Sequence, residues 1–188
     1  MDVRIQKGDF TTVPAETLVL FHFEQDEKLL EVTAAVNDSA NSIIARVLES
    51  GDFRGEHLEH VLLFTEGTLA TKRILLMGLG KRDELTAHNM REAASKALIA
   101  LRDRHQLQAV LPIPLDSKFP LGVVDTAEAC VLGGMLGLYQ FTELRTRERD
   151  KIKEFESLTI LAPRKTKELT TSVDRAKTIA QGIYLARD

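Results

Sequence analysis

The residues placed to do chemistry begin with a glycine pair and a lysine. Met77-Gly78-Leu79-Gly80-Lys81 follows an apolar run and precedes a helix-like segment, where a phosphate-binding loop would lie. A dinucleotide fingerprint needs a third glycine three residues past the second, and Asp83 stands there. A Walker A loop needs Ser or Thr after Gly-Lys, and Gly80-Lys81-Arg82 breaks it. These residues read instead as a tight turn in which glycine supplies a positive φ.

The other candidates are histidines and one thiol. His57-Leu58-Glu59-His60 spaces its histidines three apart at the entrance to a strand. A His-Glu-x-x-His metal site needs them four apart on one helical face, and here they are expected on opposite faces of the chain. His22, between Phe21 and Phe23, is expected to be a satisfied core or sheet-surface histidine. His88 and His105 are expected on or near the exposed side of a long helix, with no Asp or Cys at ligand spacing. Cys130 lies mid-helix among Ala, Val and Leu and is expected to be a buried, inert thiol. No Gly-x-Ser-x-Gly elbow occurs, nor a compact pair of carboxylates with a supporting base. No catalytic, cofactor-binding or metal-ligating residue is therefore assigned in this chain.

The elements that must carry these residues alternate. Strands are expected at Val3–Gln6, Thr17–Phe23, His60–Phe64, Arg73–Met77, Ala109–Leu111 and Leu158–Leu161, the last stopped by Pro163. Several are continuous apolar runs, as in a sheet covered on both faces. Two helices are expected between Asp26 and Glu49, separated by a cap in Asn37-Asp38-Ser39. Thr86 caps a long helix to about Arg104, a helix of small residues runs from Val123 to Tyr139, and a final helix starts near Thr171. Gly133, Gly134 and Gly137 each cost about 1 kcal/mol relative to Ala in a helix interior. Close approach of that helix to the sheet or to another helix would offset the cost. The order gives an α/β fold, a three-layer α/β/α sandwich with a mixed β-sheet.

The chain has 188 residues, 44% hydrophobic and 28% charged, with a net charge of −3. That composition excludes disordered, collagen-like and disulfide-stapled classes, and gives no strong pull toward nucleic acid or anionic lipid. A single cysteine suits a reducing, cytosolic setting. No apolar run of 18 or more residues occurs, which excludes a helical membrane span. Glu143 to Lys153 is dense in interleaved charges and reads as a solvated connection.

Several segments together resemble the N-terminal domain of the cytosolic leucyl aminopeptidases, the M17 metallopeptidase family. Gly51-Asp52-Phe53-Arg54-Gly55-Glu56 is similar to that family's Gly-Asp-Phe-x-Gly-Lys element, without its usual lysine. Arg73-Ile74-Leu75-Leu76-Met77-Gly78-Leu79-Gly80-Lys81 resembles its strand and Gly-Leu-Gly-Lys signature, and Leu85-Thr86 with Met90-Arg91-Glu92-Ala93-Ala94 resembles the helix that follows. Ala127-Glu128-Ala129 through Tyr139-Gln140-Phe141 is similar to the helix ending in Tyr-x-Phe. Ile179 to Asp188 resembles the helix leading into the catalytic domain.

The resemblance implies a macro-domain-like α/β domain over residues 1–165. Residues 166–188 would then begin a linker helix toward a C-terminal catalytic domain absent from this sequence. The family's metal ligands and its Asn-Thr-Asp-Ala-Glu-Gly-Arg segment belong to that absent part, so none of its catalytic positions falls here. Two divalent metals, Zn or Mn, are expected there, and no cofactor in this chain. The partners implied are that catalytic domain and a homo-hexamer of the longer, cytoplasmic hydrolase. This stretch by itself is expected to be inactive, non-membrane, without nucleic acid, and a monomer or weak dimer. Ile179, Ile183 and Ala186 form an apolar stripe that stops at Arg187-Asp188 without a Gly or Asn cap, and the expectation is a cut through a longer protein. Two other readings are an ADP-ribose-binding macro domain and a DNA-binding accessory domain. Lys7-Gly8-Asp9-Phe10-Thr11 loosely matches the Gly-Asp-Ile-Thr of macro domains, but Glu24-Gln25-Asp26 replaces their Asn-Ala-Ala-Asn. Net acidity opposes DNA.

Overall fold

Thr17–His22 (β2) is buried at every position, as a β-rich run without polar alternation requires. It sits inside the sheet, parallel to Arg73–Gly78 (β4) on one side and to Gln108–Pro112 (β5) on the other. β5 pairs in parallel with Ser157–Ala162 (β6), and β6 with Asp2–Lys7 (β1). His60–Phe64 (β3) runs antiparallel to β4, so the sheet is mixed, with strand order β1-β6-β5-β2-β4-β3. The computed structural model describes residues 1–9, 13, 15–114, 116, 118–141, 153–162 and 164–187. The charge-dense connection as far as residue 152, the Phe10-Thr11 match, the stop at Pro163 and the end at Asp188 lie outside the described residues.

Helices cover both faces. Glu31–Ser39 (α1) and Ile43–Ser50 (α2) lie on one, where Val32, Val36 and Ile44 meet Leu18, Leu20, Ile74 and Leu76. Ala87–Asp103 (α3), Val123–Leu138 (α4) and Lys167–Arg187 (α5) make the other layer, over Val19, Phe21, Leu75 and Met77. The alternation along β2 divides the two cores, as strand geometry demands. The result is the three-layer α/β/α sandwich with a mixed β-sheet that the sequence order implies.

Local details differ in places from the expectations. Asn37 is inside α1, yet its side-chain Oδ1 accepts the amides of Ile44 (3.1 Å) and Ala45 (3.0 Å) and so caps α2 across the turn. Thr86 does cap α3, in a reciprocal capping box with Asn89. α5 begins at Lys167, earlier than the apolar spacing suggests. Its packed stripe is Leu169, Val173, Ala176 and Ala180, whereas Ile179 and Ala186 are exposed. The Ile179–Ala186 stripe thus lies off the packed face and leaves apolar surface exposed near the end of α5.

The small-residue helix is explained by α3. A methyl group on Gly133 would overlap the Arg91 carbonyl oxygen and lie 2.7 Å from the Arg91 Cα. One on Gly137 would lie 2.9 Å from the Ser95 Cβ. The two glycines are four apart, as are Arg91 and Ser95, so one face of α4 presses directly on the backbone of α3.

Candidate functional site

In an open α/β sheet, ligands bind outside the carboxyl ends of the strands, at the point where successive connections depart in opposite directions. Here that point lies between β2 and β5. The chain leaves β2 through α1 and α2 toward β3, and β4 returns through α3 to β5 on the other flank. β2 and β5 pair only at Thr17↔Ala109 and Leu18↔Val110, although β2 continues to His22.

Apolar side chains following both strands pack together beside this crevice. Phe23 and Ile113 are fully buried, Phe119 nearly so, and the rings of Phe23 and Phe119 stand 5.6 Å apart. Burying each ring stabilises the fold by about 2 kcal/mol. The Arg82 guanidinium lies over Phe23, 4.3 Å from the ring centre. It donates to the Asp26 carboxylate and to the Lys118 carbonyl oxygen (2.9 Å). The cation best placed to receive a phosphate or carboxylate is committed to three protein partners.

The glycine loop is equally committed. Gly78 donates to the Glu59 carbonyl (2.8 Å), Leu79 to that of His22 (2.9 Å) and Gly80 to that of Gly55 (2.9 Å), while the Gly80 carbonyl accepts from Glu24 (2.9 Å). An anion-binding nest needs successive free amides, and these three are spent on the protein. Gly80 has φ 73, the tight turn read from the sequence, and Gly55 has φ 79. A methyl group at Gly55 would come 2.8 Å from the Phe23 carbonyl carbon, and one at Gly78 would come 2.7 Å from that of Gly55. The Gly-Asp-Phe-Arg-Gly-Glu segment and the Gly-Leu-Gly-Lys segment are thus two halves of one backbone junction at the end of β2 and β4.

His88 and His105 are exposed on and just after α3, as expected, but His57 and His60 are not on opposite faces. His57 lies in a turn before β3, where Leu58 adopts φ 66, so strand alternation does not govern it. His57 and His60 both end on the α3 side. His57 Nε2 is 3.3 Å from Glu92 Oε2, and His88 Nε2 is 3.6 Å from the same oxygen. No group of three His, Cys, Asp or Glu side chains that could hold a metal ion occurs among the described residues. The convergence of His57 and His88 on Glu92 has no sequence signal, because residue 57 reaches residues 88 and 92 only through the tertiary fold. His105 follows α3, exposed, with φ 57.

His22 is buried at 3% exposure, but its Nδ1 makes no hydrogen bond, so it is not the satisfied histidine expected. Burial lowers its pKa, with Asp26 acting to raise it and Arg82 to lower it further. Cys130 is fully buried on α4, and burial pushes its thiol far up from the ordinary range.

α5 is pinned to α4 at both ends. Near its start, Glu128 accepts from Ser172 (2.7 Å) and from Arg175. Partial burial acts to raise the Glu128 pKa, but those hydrogen bonds and the charges of Arg175 and Arg91 outweigh it and hold the carboxyl below its usual value. Near its end, the Tyr184 hydroxyl donates to the Met135 carbonyl, and burial raises the phenol to about 12. The Tyr184 ring stands 5.0 Å from that of Tyr139, over which Arg187 lies. Beyond these contacts Leu185 is 80% exposed. No described helix is long and apolar enough to cross a membrane.

Residues 18–148 match the family model for the N-terminal domain of the cytosol aminopeptidase family. A probable cytosol aminopeptidase of Geobacter sp. (strain M21) is 32% identical over 176 residues, which are 93% of this chain and 34% of that protein. The chain spans about a third of the length of the curated relatives it matches. Among solved structures, a tomato leucine aminopeptidase variant superposes with a TM-score of 0.80 at 18% identity, over 100% of this chain and 37% of that one. A macrodomain variant from Oceanobacillus iheyensis superposes at 0.63 with 10% identity, over 93% and 90%. At these identities the two structures establish a shared fold and nothing more.

Proposed function

The chain belongs to the cytosol aminopeptidase family as its N-terminal domain, and we propose on that premise that it is the non-catalytic part of a longer metallopeptidase. The observation that carries the proposal is the family match over residues 18–148 in a chain that spans about a third of its relatives. The longer protein would remove N-terminal amino acids from peptides, using two divalent metals, Zn or Mn, held in a C-terminal catalytic domain. Residues 1–165 would form the α/β domain and residues 166–188 the start of the linker helix. The exposed Ile179 and Leu185 on α5 favour a partner surface at that end of the molecule. The domain would help assemble a homo-hexamer of the cytoplasmic enzyme and shape access to its active sites.

What this chain's own residues do in that role is structural. Gly55, Gly78 and Gly80 lock the turns at the strand ends, and Phe23, Phe119 and Arg82 pack together beside the crevice. The test is an assay of the purified chain with leucine p-nitroanilide in Zn²⁺ or Mn²⁺. No turnover is expected, and robust metal-dependent turnover would overturn the reading. For assembly, the longer protein is compared with and without residues 1–165 by sedimentation. Loss of the hexamer on deletion is expected, and an unchanged hexamer would remove the assembly role.

A further inference from the structure

The two edges of the sheet are built differently. β1 carries Asp2, Arg4 and Lys7 along an exposed edge, with Arg4 and Asp2 paired at 2.5 Å. Charges of this kind are how proteins keep an open edge from pairing with another strand. β3, the opposite edge, reads His60-Val61-Leu62-Leu63-Phe64, with no Lys, Arg, Asp, Glu or Pro. Among the described residues it pairs with β4 alone. Thr65 donates to the Lys72 carbonyl (3.2 Å) and Glu59 accepts from Gly78 (2.8 Å), so in the alternating antiparallel pattern Val61 and Leu63 also face β4. The amides and carbonyls of His60, Leu62 and Phe64 therefore point outward. Phe64 is 55% exposed, with Arg73 over its ring at 5.5 Å. Beside it, on the α3 side, lies an open groove of about 550 Å³ bordered by His60, Leu62, Arg104 and Gln106.

We propose that β3 pairs antiparallel with β3 of a second copy of this chain, with Leu62 on the two-fold axis. The strand is complementary to itself in that register. The outward residues form the hydrogen-bonded pairs Leu62 with Leu62, His60 with Phe64 and Phe64 with His60, and Glu59 does not meet its own copy. Phe64 then lies beside the other copy's His60 on the face of the groove, as an aromatic cross-strand pair. An uncharged edge suits a second identical edge better than a charged partner. The pairing rests on the assembly role proposed above and names a surface for it. A five-residue strand pair alone falls short of the ~1,200 Å² of a stable interface, so the contact is weak in isolation.

Covalent trapping reads a weak contact directly. The chain carrying Leu62→Cys is oxidised with diamide and run without reductant, with the unmodified chain and Arg4→Cys as controls. The only native thiol, Cys130, is fully buried and stays silent. A crosslinked dimer with Leu62→Cys alone is expected. In sedimentation equilibrium the unmodified chain should rise toward twice its monomer mass with concentration. Phe64→Lys, at an exposed site, should stay monomeric with an unchanged circular dichroism spectrum. Equal crosslinking through Arg4→Cys, or self-association indifferent to Phe64→Lys, would overturn the pairing. A longer protein that still assembles while Leu62→Cys gives no crosslink would also overturn it, and would leave the assembly reading intact.

Discussion

The amide of Gly80 donates to the carbonyl of Gly55 at 2.9 Å, tying the turn after β4 to the turn before β3. Between them sits Gly78, whose missing side chain leaves room for the backbone of Gly55 and Glu56. Gly78→Ala would force two stretches of backbone apart, and backbone does not yield as a side-chain tip does. The expected cost is about 3 kcal/mol or more, read as a lowered urea midpoint at an unchanged slope.

The α4 glycines should separate into two classes. Ala gains about 1 kcal/mol of helix propensity over Gly. At Gly133 the new methyl meets the backbone of Arg91, and at Gly137 it meets Ser95 at its Cβ and Cα, so both substitutions should destabilise by about 2 kcal/mol net. At Gly134 it meets the end of the Leu98 side chain, which can rotate, and the cost should be the smallest of the three. Thermal melts of the three variants check the ranking.

His22 gives the stability a pH slope. Its native pKa is below the ordinary value of 6.5, so the unfolded chain binds the proton more readily. The stability this neutral histidine contributes is full above pH about 6.5 and is lost as pH falls through the native pKa. His22→Leu removes both the proton site and a buried Nδ1 without a partner. The variant should melt at least as high as the parent at pH 7, by up to about 1 kcal/mol of added stability, and should lose less on going to pH 5. A parallel loss in both proteins would show that His22 does not govern the slope.

ADP-ribose should not bind. The fold is shared with macrodomains, but the mouth between β2 and β5 holds Phe23 and Phe119, and the loop amides are bonded internally. Calorimetric titration should show no saturable heat, and micromolar binding would show that Phe119 and Arg82 move aside.

The architecture was legible in the sequence because its strands are continuous apolar runs, its long helix is amphipathic, and Thr86 is a strong start signal. The close helix approach was legible too, since Gly133, Gly134 and Gly137 are costly unless something presses against them. What could not be read is what depends on distant segments meeting. His57 is far along the chain from His88 and Glu92, which are one helical turn apart, and meets them only in space. Arg82 is an ordinary surface-type residue until Phe23, Asp26 and Lys118 converge on it. The same limit applies to His22, whose lack of a partner is a property of its surroundings.

The pairing of β1 with β6 carries a consequence for synthesis. Asp2 lies opposite Ser157, and Lys7 opposite Ala162, so β1 must wait for β6. While the ribosome extends the chain, β2, β3 and β4 with their helices can assemble, since they are adjacent in both sequence and sheet order. β1 has no partner until residue 162 has emerged. An arm that waits that long in water is better charged than apolar, and Asp2, Arg4 and Lys7 make it so. The same residues that guard a finished edge therefore protect an unfinished one, and the domain closes as a unit only when nearly all of it has been translated.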